Sequence, residues 1–135
     1  MTTQRTMDDK VTLGGMRVLV VEDDYFIAAE ICNTLRAHGA EVVGPSPDVE
    51  HGLRLAKSER IDCAVLDINL QGTLAFNLAN ELRERGTPAI FATGYDGSVL
   101  PGEFSGSVRL EKPVNLNALL RAVQTFRTRK SEQAS

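Results

Sequence analysis

The chain has 135 residues, 42% hydrophobic and 24% charged, and 15 Lys+Arg against 18 Asp+Glu leave a net charge of −3. That length is expected to give one soluble globular domain with a sizeable core and no separate output module. The acidic balance excludes the basic footprint that non-specific nucleic-acid binding requires.

The first fifteen residues, Met1 to Gly15, are polar and lack the apolar core of a signal peptide, so residues 1–15 read as a flexible arm before a domain at 16–127 and a tail at 128–135. No run of about eighteen apolar residues exists to span a membrane, and a cytoplasmic location is expected. Cys32 and Cys63 lie in apolar segments without metal-ligand spacing and read as reduced core residues.

The first strand is Met16 to Val21, a β-branched run that stops at Glu22-Asp23-Asp24. Ile27, Ile31 and Leu35 then recur every fourth residue, and His38-Gly39 closes that helix, with Asp24 as its N-cap or first-turn charge. Glu41 to Gly44 reads as a second strand, followed by Ser46-Pro47 as N-cap and first helical residue, with Val49, Leu53 and Ala56 on one face. Cys63 to Ile68 is a third strand carrying Asp67 at its end. Leu74, Leu78 and Leu82 form the next stripe, stopped by Gly86.

A fourth strand follows at Ala89 to Thr93 and a fifth at Ser107 to Leu110. Five glycines and prolines between them, Gly94, Gly97, Pro101, Gly102 and Gly106, oppose a long helix, so the fourth helix is expected to be short or disordered. Asn115 caps a last helix with a stripe of Leu116, Leu119, Leu120, Val123 and Phe126. Strands without polar alternation, separated by helix-length segments, imply a parallel sheet covered on both faces, an α/β doubly wound (βα)5 architecture.

In such sheets ligands gather at the carboxyl ends of the strands. Glu22 and Asp23 after strand one, Asp67 after strand three, Thr93 after strand four and Lys112 after strand five all fall on that rim. Three carboxylates brought together need a cation or protonation, and oxygen-only donors suit an open Mg²⁺ site. Asp67 can then accept a phosphoryl group, with Lys112 as the neutralising cation and Thr93 as a hydroxyl donor.

These residues resemble the receiver domains of two-component response regulators, over roughly Met16 to Phe126. The resemblance implies a flavodoxin-like fold with strand order 2-1-3-4-5 and a single-domain regulator that is not an enzyme. It implies phosphorylation of Asp67 by a histidine kinase or phosphotransfer protein, and signalling to a downstream protein target. It also implies Mg²⁺ held by the side chains of Asp23 and Asp67 and the carbonyl of Asn69, with Glu22 acting through water, and a cis peptide before Pro113. Phe91 to Tyr95, reading FATGY, looks like the FATGUY-like motif of stand-alone receivers that work with kinases of the HWE/HisKA2 type.

Two features depart from the common receiver. Arg109 stands three residues before Lys112, where many receivers carry an aromatic switch residue, and the INLQG loop after Asp67 has no Pro. A guanidinium is costly to bury unpaired, so Arg109 is expected at the surface, and the Gly94–Gly106 stretch is expected to change order on phosphorylation instead. A phosphohydrolase is the rival reading, but such enzymes place the nucleophile after the first strand and add a cap domain. A dinucleotide site would need a glycine-rich turn where this chain has Glu-Asp-Asp.

Overall fold

The computed structural model describes residues 11–70, 73–94 and 107–134. In chain order they form β1 (Arg17–Val21), α1 (Tyr25–Ala37), β2 (Glu41–Ser46), α2 (Val49–Ser58), β3 (Cys63–Asp67), a small hairpin of β4 (Asn69–Leu70) and β5 (Thr73–Leu74), α3 (Phe76–Glu84), β6 (Ala89–Thr93), β7 (Val108–Glu111) and α4 (Leu116–Ala134). The main sheet is parallel, in the order β2-β1-β3-β6-β7. Numbered by sheet strand alone this is 2-1-3-4-5, the doubly wound flavodoxin-like arrangement.

The period-2 alternation of the central strands divides one apolar run between two cores. Val18, Val20, Cys63, Val65 and Ile90 face one side and meet Ile31, Leu35, Leu119, Leu120, Val123 and Phe126 of α1 and α4. Leu19, Val21, Ala64, Leu66 and Phe91 face the other and meet Ala56, Leu78, Ala79 and Leu82 of α2 and α3. This is why the strands read as continuous hydrophobic stretches, and each fully buried Leu or Phe contributes about 1.5–3 kcal/mol through its apolar area. On the second side α2 sits so close that a Cβ at Gly52 would lie 2.9 Å from Leu78 Cδ2 and 3.2 Å from Val21 Cγ2.

Both ends of α1 and the start of α4 follow the sequence signals. Asp24 caps α1 by accepting from the Phe26 and Ile27 N–H groups at 2.9 and 3.1 Å, and Gly39 follows the helix at φ +98°. Asn115 Oδ1 accepts from Ala118 N–H at 2.9 Å at the start of α4. Both cysteines are buried and unbridged, and burial pushes the Cys63 thiol up to about 12.

The structure corrects four expectations. Helix α2 is capped by Asp48, whose carboxylate accepts from His51 N–H at 2.8 Å, because Ser46 is still the last residue of β2. Leu74 belongs to the hairpin instead of the helical stripe; it pairs with Asn69, and α3 begins at Phe76. Leu13, counted with the polar arm, is 0% exposed in the α1/α4 core, and its N–H donates to the His38 carbonyl at 2.7 Å. The segment after Arg127 continues α4 through Ala134, since neither Gly nor Pro interrupts its helix-forming residues. The expected short fourth helix lies outside the described residues.

Candidate functional site

Strands β1, β3 and β6 lie side by side, with Val21 opposite Leu66 and Asp67 opposite Ala92. Each carries an apolar run that is followed at its carboxyl end by a polar residue, so the chemistry-bearing side chains gather at one edge of the sheet. One carboxylate oxygen from each of Glu22, Asp23 and Asp67 lies within 4.8 Å of the others. Lys112, delivered by the end of β7, reaches across: its Nζ lies 3.0 Å from Glu22 Oε1, 3.2 Å from Glu22 Oε2 and 3.1 Å from Asp67 Oδ2. The backbone that carries Lys112 is fixed by its own N–H, which donates to the Thr93 carbonyl at 2.7 Å.

The Lys112 side chain is 21% exposed, whereas the Glu22 and Asp67 side chains are 2% and 7% exposed. Glu22 is the most constrained of the set. Burial pushes its carboxyl from 4.5 up to about 7, helped by the nearby Asp67 charge, against the lowering effects of the Asp24 N–H bond at 3.1 Å and of Lys112. Burial alone would lower the Lys112 ammonium, but its hydrogen bonds and attraction to Glu22 and Asp67 raise it above its ordinary value. Glu22 Oε1 is buried and meets the Lys112 ammonium as an ion pair, without a well-aligned hydrogen bond.

A buried, incompletely satisfied oxygen, in a set of three carboxylates that share one ammonium, is what a hard divalent cation would complete. Oxygens bound to one octahedral Mg²⁺ at about 2.0–2.1 Å stand roughly 3–4 Å apart, so the cluster needs only a small contraction. The donor set therefore fits Mg²⁺.

The structure brings together Glu22, Asp23, Asp67 and Lys112 as the sequence implied. Thr93 ends β6, is 1% exposed, and its hydroxyl donates to the Gly94 carbonyl at 3.2 Å. Asn69 opens the hairpin two residues beyond Asp67. Asp24 faces the helix it caps and does not join the carboxylate cluster. Arg109 is exposed, and the Lys112–Pro113 peptide is cis. Two features escaped the sequence reading: the Ser46 carbonyl that accepts from Glu22 N–H at 2.9 Å, and the pairing of Tyr25 with Phe26 at the site's margin.

The sequence profile of the response regulator receiver domain matches residues 18–124. The chain belongs to that family. Receivers are phosphoacceptor signalling domains that interact with histidine kinases or phosphotransfer proteins. Among curated proteins this receiver is 29% identical over 122 residues to the sensory transduction protein LytT of Bacillus cereus, covering 87% of the chain and 50% of LytT. It is 25% identical over 112 residues to the transcriptional regulatory protein PdtaR of Mycobacterium tuberculosis, covering 80% of the chain and 55% of PdtaR. The receiver thus spans about half the length of the curated relatives it matches.

Solved structures agree on the fold. A CheY-like receiver domain protein from Methanospirillum hungatei JF-1 matches with a TM-score of 0.75 at 28% identity, over 87% of this chain and 98% of that one. SdrG from Sphingomonas melonis Fr1 matches with a TM-score of 0.73, also at 28% identity, over 82% of this chain and 95% of that one.

Proposed function

We propose that this receiver takes a phosphoryl group onto Asp67 in a Mg²⁺-dependent reaction and signals by phosphorylation-dependent protein binding. A carboxylate oxygen of Asp67 attacks the phosphorus of a phosphohistidine; the P–N bond breaks, and the imidazole leaves with a proton from solvent. Glu22, Asp23, Asp67 and the Asn69 carbonyl would hold the Mg²⁺, which when bound offsets charge on the phosphoryl oxygens. Lys112, already 3.1 Å from Asp67 Oδ2, supplies the second positive charge at the acceptor. Thr93, at the end of the strand beside Asp67, supplies a hydroxyl that can turn from the Gly94 carbonyl to a phosphoryl oxygen.

The observation that carries this reading is the Asp67 carboxylate held between a carboxylate cluster and an ammonium at the rim of a receiver fold. Incubation with acetyl phosphate and Mg²⁺ followed by intact mass measurement tests it. One acid- and base-labile phosphate on the wild type and none on Asp67→Asn is the expected result, and labelling of a His or Ser would overturn it.

The narrower features of the reading are a stand-alone, cytoplasmic regulator, a FATGUY-like Phe91–Tyr95 segment, and a donor of the HWE/HisKA2 type. No helix among the described residues is long and apolar enough to cross a membrane. The order change proposed for the Gly94–Gly106 stretch falls, apart from Gly94, outside the described residues. A protein donor must approach Asp67 over the rim that α1 flanks. There Tyr25 and Phe26 stand 76% and 80% exposed, with ring centroids 5.4 Å apart in an edge-to-face pair, and would be covered by it.

A further inference from the structure

The edge strand β2 does not keep one register along β1. Arg17, Val18 and Leu19 face Glu41, Val42 and Val43, but Val21 faces Ser46, so β2 holds one extra residue at Gly44–Pro45. A bulge of this kind reverses the inward and outward alternation beyond it. Val43 and Ser46 are both buried, and the two residues between them, Gly44 and Pro45, are exposed. With the unbulged register Pro45 would stand opposite Val21, and Pro has no N–H to give the ladder. The extra residue brings Ser46 there in its place.

Ser46 then touches the site through its main chain. Its carbonyl accepts from Glu22 N–H at 2.9 Å, and its hydroxyl, on a residue 0% exposed, donates to the Asp48 carbonyl at 2.9 Å, which ties the bulge to the start of α2. Glu22 is therefore gripped twice by its neighbours: at its own N–H by Ser46, and at Oε2 by the N–H of Asp24. The grip requires glycine at position 44. Its φ is +102°, and an added Cβ would lie 2.8 Å from Ser46 N and 3.0 Å from Val20 O, the backbone atoms of this same junction.

We propose that the Gly44–Ser46 bulge positions Glu22: Gly44 and Ser46 set where its carboxylate sits relative to Asp23 and Asp67, and so tune divalent-cation affinity without contacting the cation. This rests on the Mg²⁺ reading given above. Both residues are positioning residues, acting through the backbone of Glu22.

Isothermal titration calorimetry with Mg²⁺ on the full chain, at a temperature where circular dichroism shows each variant folded, tests the proposal. Gly44→Ala is expected to raise the Kd about fivefold or more and to speed hydrogen exchange of the Glu22 amide. Arg17→Ala, which loosens the opposite end of β1, is the control for general destabilisation and is expected to leave the Kd within twofold. If Gly44→Ala does not fold, Ser46→Ala decides, with a rise of twofold or more supporting the proposal. An unchanged Kd in the folded Gly44 variant, or in Ser46→Ala where that variant decides, overturns it, as does an equal rise in Arg17→Ala. Absence of Mg²⁺ binding by the wild type would instead overturn the metal-site reading, and this proposal with it.

Discussion

The two ends of the same parallel sheet are built on opposite electrostatic plans. At the amino end, Arg17 is ringed by acceptors: its guanidinium pairs with Glu41 at 2.7 Å and Glu59 at 2.6 Å and donates to the Arg60 carbonyl at 2.8 Å, while its N–H is held by Asp62 at 2.8 Å. The charges alternate, and Glu41 and Glu59 are open to water. At the carboxyl end three carboxylates crowd one ammonium, and the acid best buried among them, Glu22, is pushed up to about 7. One end is balanced as it stands, and the other gathers three carboxylates around a single ammonium. A fold can carry such a strained rim because its stability comes from the two apolar cores and from ends like the first.

The sharpest break of that comparison is chemical. Asp67→Asn should abolish labelling by acetyl phosphate entirely, as read by intact mass, while leaving the Arg17 end untouched. Next comes pH. Glu22 has a folded pKa raised from 4.5 to about 7, so its contribution to stability is fully present below pH 4.5 and is lost as pH rises through 7. At about 1.4 kcal/mol per unit the ceiling is about 3 kcal/mol. Urea unfolding at steps from pH 5 to pH 8 should show that decline in the wild type and a flatter profile in Glu22→Gln, and saturating Mg²⁺ should offset the loss at high pH.

Removing the shared cation is the third test. Lys112→Met leaves Glu22 and Asp67 without the ammonium they share; breaking a fully buried pair costs about 3–5 kcal/mol, and the partial exposure of Lys112 reduces this to about 2 kcal/mol at pH 8. The same removal at the other end is milder. Arg17→Ala, where the acid partners are largely solvated, should cost about 1 kcal/mol or less by chemical denaturation, and the cost should shrink in high salt. The smallest effect belongs to the exposed aromatic pair: Tyr25→Ala with Phe26→Ala should leave both stability and the rate of labelling by acetyl phosphate within about twofold, since neither ring is buried.

The rim was legible in the sequence because each central strand carries an apolar run buried on both faces, broken at its carboxyl end by a polar residue. Glu22, Asp67 and Thr93 are therefore conspicuous, and their order along the chain places them on one edge. Less legible was everything whose local pattern had two readings. Leu74 stands at helical spacing from Leu78 and Leu82, yet it pairs with Asn69 in a two-residue strand. Ser46-Pro47 has the form of a helix start, and only the bulge at Gly44 shows that the strand runs on to Ser46 and leaves Asp48 to cap. Leu13 stands with Val11 in an otherwise mostly polar stretch, and its burial in the α1/α4 core is recorded by no local periodicity. Pairwise closeness was likewise invisible: nothing in the spacing gives the reach of Lys112 to both acids.

The aromatic pair at the margin of α1 has a practical consequence for spectroscopy. The chain has no tryptophan and two tyrosines, Tyr25 and Tyr95, which follow Asp23 and Thr93 by two residues each. Tyr25 lies two residues past the carboxylate cluster, and the buried aromatic rings of the two cores, Phe91 and Phe126, are phenylalanines. Tyr25 stands edge-to-face against Phe26 and open to water, so a protein that covered it would change its emission. Tyrosine emission of the unlabelled protein thus offers a readout of whether the start of α1 is covered.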